Sequence, residues 1–360
     1  MEKIKTTKHL EYSLGLAVIT AIGLPFCSFA TTTPTLLLVN VIAIISILWS
    51  AFSVIRHADV LAHRLGEPYG SLILSLAVVI LEVSLISILM LTGNAGKMLM
   101  RDTMLSILMI IMGGLIGISL LLGGRKFANQ SFNLVSVRQY LIALIPLVVI
   151  TMILPMAFPE GKFTKSQLLV VALICMMMYG VFLHLQTRTH QKLFIYADED
   201  ESEDHKGMPS PFSSRWHGVW LVVHLVAVIA VTKLNSVYLD NLLDNLNAPI
   251  ALTGFLIALL TLSPEGLGAI KAVLNNQVQR AMNLYFGSAL ATISLTVPTV
   301  IIIALLTEQE LVFGLDVPDA VLLIGMLLLS MVSFAGGKTN AMNGMSHIAM
   351  FIGFLLILFY

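Results

Sequence analysis

Residues Gly70 to Thr92 read GSLILSLAVVILEVSLISILMLT, a run of 23 residues whose one ionisable side chain, Glu82, stands at the middle. About 20 apolar residues cross the hydrocarbon core of a bilayer as a helix, and a charge at the centre of that core costs about 2.5 to 3.5 kcal/mol even on mild insertion scales. A carboxylate kept there needs a use. A second stretch, Pro249 to Leu274, repeats the arrangement with Glu265 inside Leu262-Ser263-Pro264-Glu265-Gly266, where proline and glycine interrupt a helix beside the acid.

The rest of the chain agrees with a membrane setting. Of 360 residues, 58% are hydrophobic and 11% charged, against about 25% charged in soluble domains. Apolar segments occur at about 10–29, 34–55, 70–92, 103–123, 139–158, 166–185, 216–233, 249–274, 283–306, 317–335 and 341–360. Continuous runs of this length choose helices over alternating strands, so the predicted fold is an all-α polytopic membrane protein of about 11 transmembrane helices. Lys+Arg and Asp+Glu balance at 20 each, so net charge points to no nucleic acid; the expected partners are the lipid bilayer and inorganic cations and protons. Cys27 and Cys175 fall in different spans, which argues against a disulfide framework. The basic start lacks a clear cleavage site and reads as a retained first helix.

Orientation follows from Lys and Arg. With a cytoplasmic amino terminus, 15 of them fall inside, among them Lys3, Lys5, Lys8, Arg56, Arg64, Arg125 and Lys126, and 5 outside: Lys97, Arg101, Lys162, Lys165 and Lys233. That bias supports an inside amino terminus, an outside carboxyl terminus and an odd number of spans; the expected location is a cell inner membrane, multi-pass. The one long polar connection, 186–215, carries Asp198, Glu199, Asp200, Glu201, Glu203 and Asp204. It reads either as a solvated linker or as a segment for cation capture or regulation. It is no EF-hand, since the glycine that loop requires at its sixth position is Glu203 here.

The segments divide as 1–33 (amino terminus and leading helix), 34–185 (a first five-helix repeat), 186–215 (the acidic cytoplasmic linker) and 216–360 (a second five-helix repeat). Gly70 precedes Glu82 by 12 residues and Ser106 follows by 24; Gly254 precedes Glu265 by 11 and Ser288 follows by 23. Repeats with an odd number of spans enter the membrane with opposite polarity, the inverted-repeat plan of secondary transporters, in which the substrate site lies near the midplane. Two carboxylates in such a site resist being charged together, so a proton and a cation compete for them, and a site that opens to each side in turn only when filled exchanges one for the other. Ser106 and Ser288, with Thr261 and Ser263, offer further oxygens to Na⁺, K⁺ or Ca²⁺. The plainer alternative is that each glutamate only fixes packing. No cofactor is called for.

Other chemistries find less. His57 and His63, like His184 and His190, are six residues apart and face different ways on a helix; His217 and His224 share a face, and His224 reads as a packing histidine in preference to a ligand or proton relay. Neither the His-Glu-x-x-His of a metalloprotease nor a nucleophile elbow occurs, so a transporter is expected in place of an intramembrane enzyme. A proton-uncoupled channel is the remaining alternative. Coupling of cation flux to proton flux separates the two.

Two strings, RHADVLAHRLGEPYGSLILSLAVVILEVSLI (56–86) and SPEGLGAIKAVLNNQVQRAMNLYFGSALATISLTVP (263–298), give the chain its resemblance to the cation/calcium exchanger superfamily, in its calcium/proton antiporter branch and nearest to bacterial sodium/potassium and calcium/proton antiporters. The resemblance implies a leading helix, two inverted five-helix repeats with an acidic segment between, and cation export driven by inward protons. It implies that Glu82 and Glu265 are the paired ion-binding glutamates, with Ser288 the serine of the following helix and Ser106 its counterpart. The family usually writes Gly-Asn-Ala-x-Glu around each acid. Here Val79 and Leu262 replace the asparagines, which implies a looser site that accepts Na⁺ or K⁺ as well as Ca²⁺.

Overall fold

The computed structural model describes residues 11–65, 69–91, 97–189, 193–194, 210–249 and 251–359. They are nearly all helical. Among the described residues seven helices are long and apolar enough to cross a membrane, eight if a bent pair is counted as one span. The chain forms two compact units, each drawing on both halves of the sequence: Met1–Asn94 with Ala197–Asn247, and Ala95–Tyr196 with Ala248–Tyr360.

The first unit holds α1 (Tyr12–Gly23), α2 (Thr33–Leu65), α3 (Tyr69–Leu91) and α8 (Ser214–Asn245). At 33 and 32 residues, α2 and α8 are about 50 Å long, well beyond the roughly 30 Å hydrocarbon core. Hydropathy alone ends these spans near 55 and 233. The helices continue because their further turns still have partners: in α8, Leu242 and Leu243 are buried, Asn235 Nδ2 donates to Asn40 Oδ1 of α2 at 2.9 Å, and Tyr238 Oη donates to the Leu24 carbonyl at 2.7 Å. Asn40 Nδ2 donates in turn to the Tyr238 carbonyl at 3.0 Å, so buried amides fix the register of α2 against α8. At the other end of α1, the Ser13 and Ser53 hydroxyls meet at 2.7 Å.

The second unit contains α4 (Leu99–Leu108), α5 (Ile116–Phe127), α6 (Leu134–Val148), α7 (Lys165–His184), α9 (Ala251–Leu274), α10 (Val278–Ala291), α11 (Val297–Thr307), α12 (Val317–Ser333) and α13 (Ala341–Leu358). Helices α4 and α5 are one rod interrupted by a π-helical segment, Met109–Leu115; α10 and α11 are another, interrupted at Thr292–Thr296. Each break has a local cause. Gly113 and Gly114 lie in the first, while Pro298, with no N–H to return to the preceding turn, follows the second.

Glycine sets the closest approach in this unit. A Cβ on Gly344 of α13 would lie 2.4 Å from the Leu121 amide nitrogen of α5, so only hydrogen fits. Close contact between small residues is what holds helices together in lipid, where burial by itself gives no preference for protein over acyl chain. Short strands β1 (Gln130–Ser131) and β2 (Lys338–Thr339) pair antiparallel, Gln130 opposite Thr339. At one end, Arg101 is buried, bonds Asp102 at 2.8 Å and donates to the Gly314 carbonyl at 3.0 Å, pinning the loop before α12. Cys27 and Cys175 are both free thiols.

Candidate functional site

Glu82 lies in the middle of α3 and is buried, 1% exposed. Helical spacing puts Val78, Leu85, Ile86 and Leu89 on the same stripe, and all four are buried, whereas Ile80 is 41% exposed on another face. The helix runs without a break, and Ser84 and Ser87 return their hydroxyls to their own backbone, at the carbonyls of Ile80 and Val83.

Glu265 is built differently. The axis of α9 bends by 51° between Ala251–Ser263 and Glu265–Leu274, where Pro264 removes an intrahelical donor. Glu265 is 5% exposed, and Ser288 Oγ of α10 donates to its Oε2 at 2.8 Å. Thr261, one turn earlier and on the same face, is buried; its hydroxyl donates to the Ile257 and Ala258 carbonyls at 3.1 Å, which leaves oxygen lone pairs for another partner. Ser263 sits nearly opposite Glu265 around the helix, half-buried, and donates to the Leu259 carbonyl. The structure thus brings Ser288 to Glu265, keeps Thr261 one turn away along α9 and leaves Ser263 on another face.

Ser106 is buried on α4, three residues ahead of the first π segment, and Ser288 stands four ahead of the second. The local bonding repeats as well. The Met109 amide donates to the Leu105 and Ser106 carbonyls, and the Thr292 amide to those of Ser288 and Ala289. The acidic run Asp198 to Asp204 lies outside the described residues.

Two further buried residues of the second unit belong to no sequence motif. Tyr285, one turn before Ser288, is buried, shares a 2.6 Å hydrogen bond between its hydroxyl and Ser119 Oγ, and lies within the electrostatic reach of Glu265. Its spacing from Ser288 on α10 is the signal by which the sequence offers it. His347 has no such signal: its Nδ1 donates to the Met112 carbonyl inside the π segment at 2.6 Å, and its Nε2 meets Ser333 Oγ at 3.1 Å. A widened turn frees carbonyls from the helix, and here a buried imidazole answers one of them.

A buried carboxylate with a hydroxyl donor and a second hydroxyl on its own face is an oxygen set suited to a proton or a hard cation, and to neither a transition metal nor an acyl group. Comparison with known proteins gives the family of the chain. The family model described as "Sodium/calcium exchanger protein" matches residues 35–188 and 216–360. A sodium-potassium/proton antiporter of Escherichia coli (strain K12), ChaA, is 59% identical over 361 residues, covering 99% of this chain and 98% of the relative. Among solved structures, native YfkE superposes with a TM-score of 0.76 at 16% identity, over 97% of this chain and 99% of that one. The H⁺/Ca²⁺ exchanger CAX follows at 0.66 and 17% identity, over 96% and 87%. With its model matched in both halves of the chain and a relative alike from end to end, the protein belongs to the sodium/calcium exchanger family.

Proposed function

We propose that this chain is a secondary cation/proton antiporter of the cell inner membrane that exports Na⁺, K⁺ or Ca²⁺ against inward protons, with Glu82 and Glu265 as the shared acceptors. The observation that carries the reading is the buried Glu265 carboxylate, held by Ser288 Oγ at 2.8 Å beside the bend of α9. A carboxylate at that depth stays charged only with compensation, which a cation supplies; without the cation a proton takes its place. Proton and cation then exclude one another at the same oxygens. If the site changes its exposure only when one of them is bound, the two fluxes are coupled. The name of the Escherichia coli relative, sodium-potassium/proton antiporter, supports the same assignment and favours monovalent cargo.

The architecture of this reading is a leading helix with a cytoplasmic amino terminus, then two inverted five-helix repeats, eleven spans in all. The paired π segments behind Ser106 and Ser288 support it, since a repeated sequence position has kept a repeated backbone irregularity. Ser106 then supplies in the first repeat the hydroxyl that Ser288 supplies in the second. Val79 and Leu262, where the family pattern has asparagine, remove two amide oxygens and loosen the site toward Na⁺ and K⁺. The acidic segment regulates cation entry without forming part of the exchange site.

The test uses everted membrane vesicles from cells without their own antiporters. An imposed proton gradient should collapse on addition of Na⁺, K⁺ or Ca²⁺, and normally inserted Glu82→Gln and Glu265→Gln proteins should be silent. Cation flux without proton movement would make the protein a channel. Normal exchange by both variants would reduce the glutamates to packing residues.

A further inference from the structure

The first unit contains a group of two buried histidines and one partly buried carboxylate that the proposed transport leaves unused. Glu11, at the start of α1, His57 near the end of α2 and His224 on α8 present one carboxylate oxygen and two imidazole nitrogens within 4.8 Å of one another. Both histidines are fully buried. Glu11 Oε1 lies 3.4 Å from His57 Nε2, and Glu11 Oε2 lies 2.9 Å from His224 Nε2. Ligands at about 2.0 to 2.1 Å from a tetrahedral zinc ion stand about 3.3 to 3.4 Å apart, so a set of one oxygen and two nitrogens lying within 4.8 Å of one another closes on an ion through side-chain shifts of about an ångström.

The surroundings have the form of a metal site's support. His57 Nδ1 shares a 2.8 Å hydrogen bond with His217 Nδ1, and His217 Nε2 continues to Ser210 Oγ at 2.7 Å. That chain locks the His57 ring with Nε2 turned to Glu11, as an outer-shell partner does for a metal-bound imidazole. Trp216 stands 5.4 Å from the His57 ring and Trp220 6.1 Å from the His224 ring, closing the site from the side. Independently of this geometry, Glu11 Oε1 and His224 Nδ1 are buried polar atoms with no hydrogen-bond partner, a cost that an ion on the oxygen removes for one of them.

Arg56 is the present counter-charge. Its guanidinium reaches Glu11 Oε2 at 2.6 Å, but a third of its side chain is open to solvent, so it can leave toward water without crossing the core. We propose that Glu11, His57 and His224 form a site for a zinc-type divalent ion, distinct from the transport residues, in which the metal displaces Arg56 and ties α1 to α2 and α8. Two imidazoles and one carboxylate leave a fourth position open. Hard cargo ions favour all-oxygen sets, so Na⁺, K⁺ and Ca²⁺ do not compete here.

The test is titration of the full-length protein in detergent, stripped by chelator, with Zn²⁺ against a chromogenic competitor and with Co²⁺ followed by visible absorption and tryptophan quenching. One ion per chain is expected, with excess Ca²⁺ or Na⁺ failing to displace it and Glu265→Gln leaving it in place. His57→Gln or His224→Gln should weaken binding by at least about tenfold. Arg56→Gln, which removes no ligand and relieves the competing charge, should tighten it. Unaltered affinity in the histidine variants overturns the site, as does Arg56→Gln binding no more tightly than the unmodified protein. Displacement by Ca²⁺, or loss in Glu265→Gln, would assign the ion to the transport residues.

Discussion

Helices α3 and α9 each carry one buried glutamate at a closely matched distance from a preceding glycine and a following serine, yet the two side chains are presented by different devices. Along its own stripe of α3, Glu82 follows Val78 and precedes Leu85, Ile86 and Leu89, on an unbroken helix. Glu265 follows a 51° bend, shares its face with Thr261 and accepts from Ser288. A repeat in sequence fixes where a charge sits along a span; the oxygens around it are set by the local break and by the neighbouring helix. On our reading, therefore, the bend and Ser288 set how the Glu265 carboxylate meets a cation, and an unbroken helix sets how the Glu82 carboxylate does.

The largest expected effect tests that asymmetry. Withdrawing a carboxylate by about one ångström can cost on the order of 100-fold where geometry matters. Glu265→Asp, which withdraws the carboxylate from Ser288 Oγ, should raise the half-saturating cation concentration by about that factor in the vesicle assay, with Glu82→Asp as the comparison on the unbroken helix. Equal shifts would remove the distinction between the two helices.

A pair of substitutions on α9 probes packing in place of chemistry. A Cβ on Gly254 would lie 2.7 Å from the Thr103 amide nitrogen and 2.9 Å from the Asp102 carbonyl carbon, both backbone atoms of α4. Gly254→Ala should then cost about 1 to 3 kcal/mol, read as a lower Tm in detergent. Gly268, on the same helix, has nothing within 4 Å of such a carbon. Its alanine variant should match the unmodified protein or gain up to about 1 kcal/mol from helix propensity. Equal destabilisation at both positions would show that α9 is not seated on α4 through Gly254.

Ser288→Ala removes a neutral donor that α10 directs to Glu265. A hydrogen bond to a charged group is worth about 1.5 to 3 kcal/mol, and screening by the arriving cation leaves a net loss nearer 1 kcal/mol, about fivefold in apparent affinity. Exchange should persist. If it vanishes in correctly inserted protein, Ser288 is a primary ligand.

The smallest effect belongs to the loops. Lys97 and Lys162 both reach Glu310, and Lys162 also pairs with Glu160, all at the solvent-exposed end of the second unit. The hydrogen bonds from these lysines hold Glu160 and Glu310 below the ordinary carboxylate range and raise Lys162. For a depressed carboxylate the contribution is present above its unfolded pKa and is lost as pH falls through the lower folded value. At neutral pH the pairs are intact, but exposed pairs contribute little. Glu310→Gln should leave Tm at pH 7 unchanged within error; a clear drop would make this network a structural clamp.

Helical, membrane-embedded character was legible because lipid permits no unsatisfied backbone and the apolar runs are long enough to span it. Glu82 and Glu265 were legible because a buried charge is conspicuous against such runs. The helix lengths were not. Hydropathy ends two spans near 55 and 233, whereas α2 reaches Leu65 and α8 reaches Asn245, because Asn235, Tyr238, Leu242 and Leu243 find partners that no window average can see.

The histidines show the same limit most plainly. Sequence spacing compares residues on one helix, and on that basis His57 and His63 face apart while His224 reads as packing. Folding instead brings His57 of α2 to His217 and His224 of α8, and to Glu11, from positions up to 213 residues apart. The sequence by itself determined the solvent this protein lives in, the material of its elements and the two acids that stand out within its apolar runs, since each of these follows from local free energies of transfer. Only the tertiary structure decided which segments of the two halves share a unit, which hydroxyl reaches Glu265 and which imidazoles converge, because those are set by contacts between residues far apart in the chain.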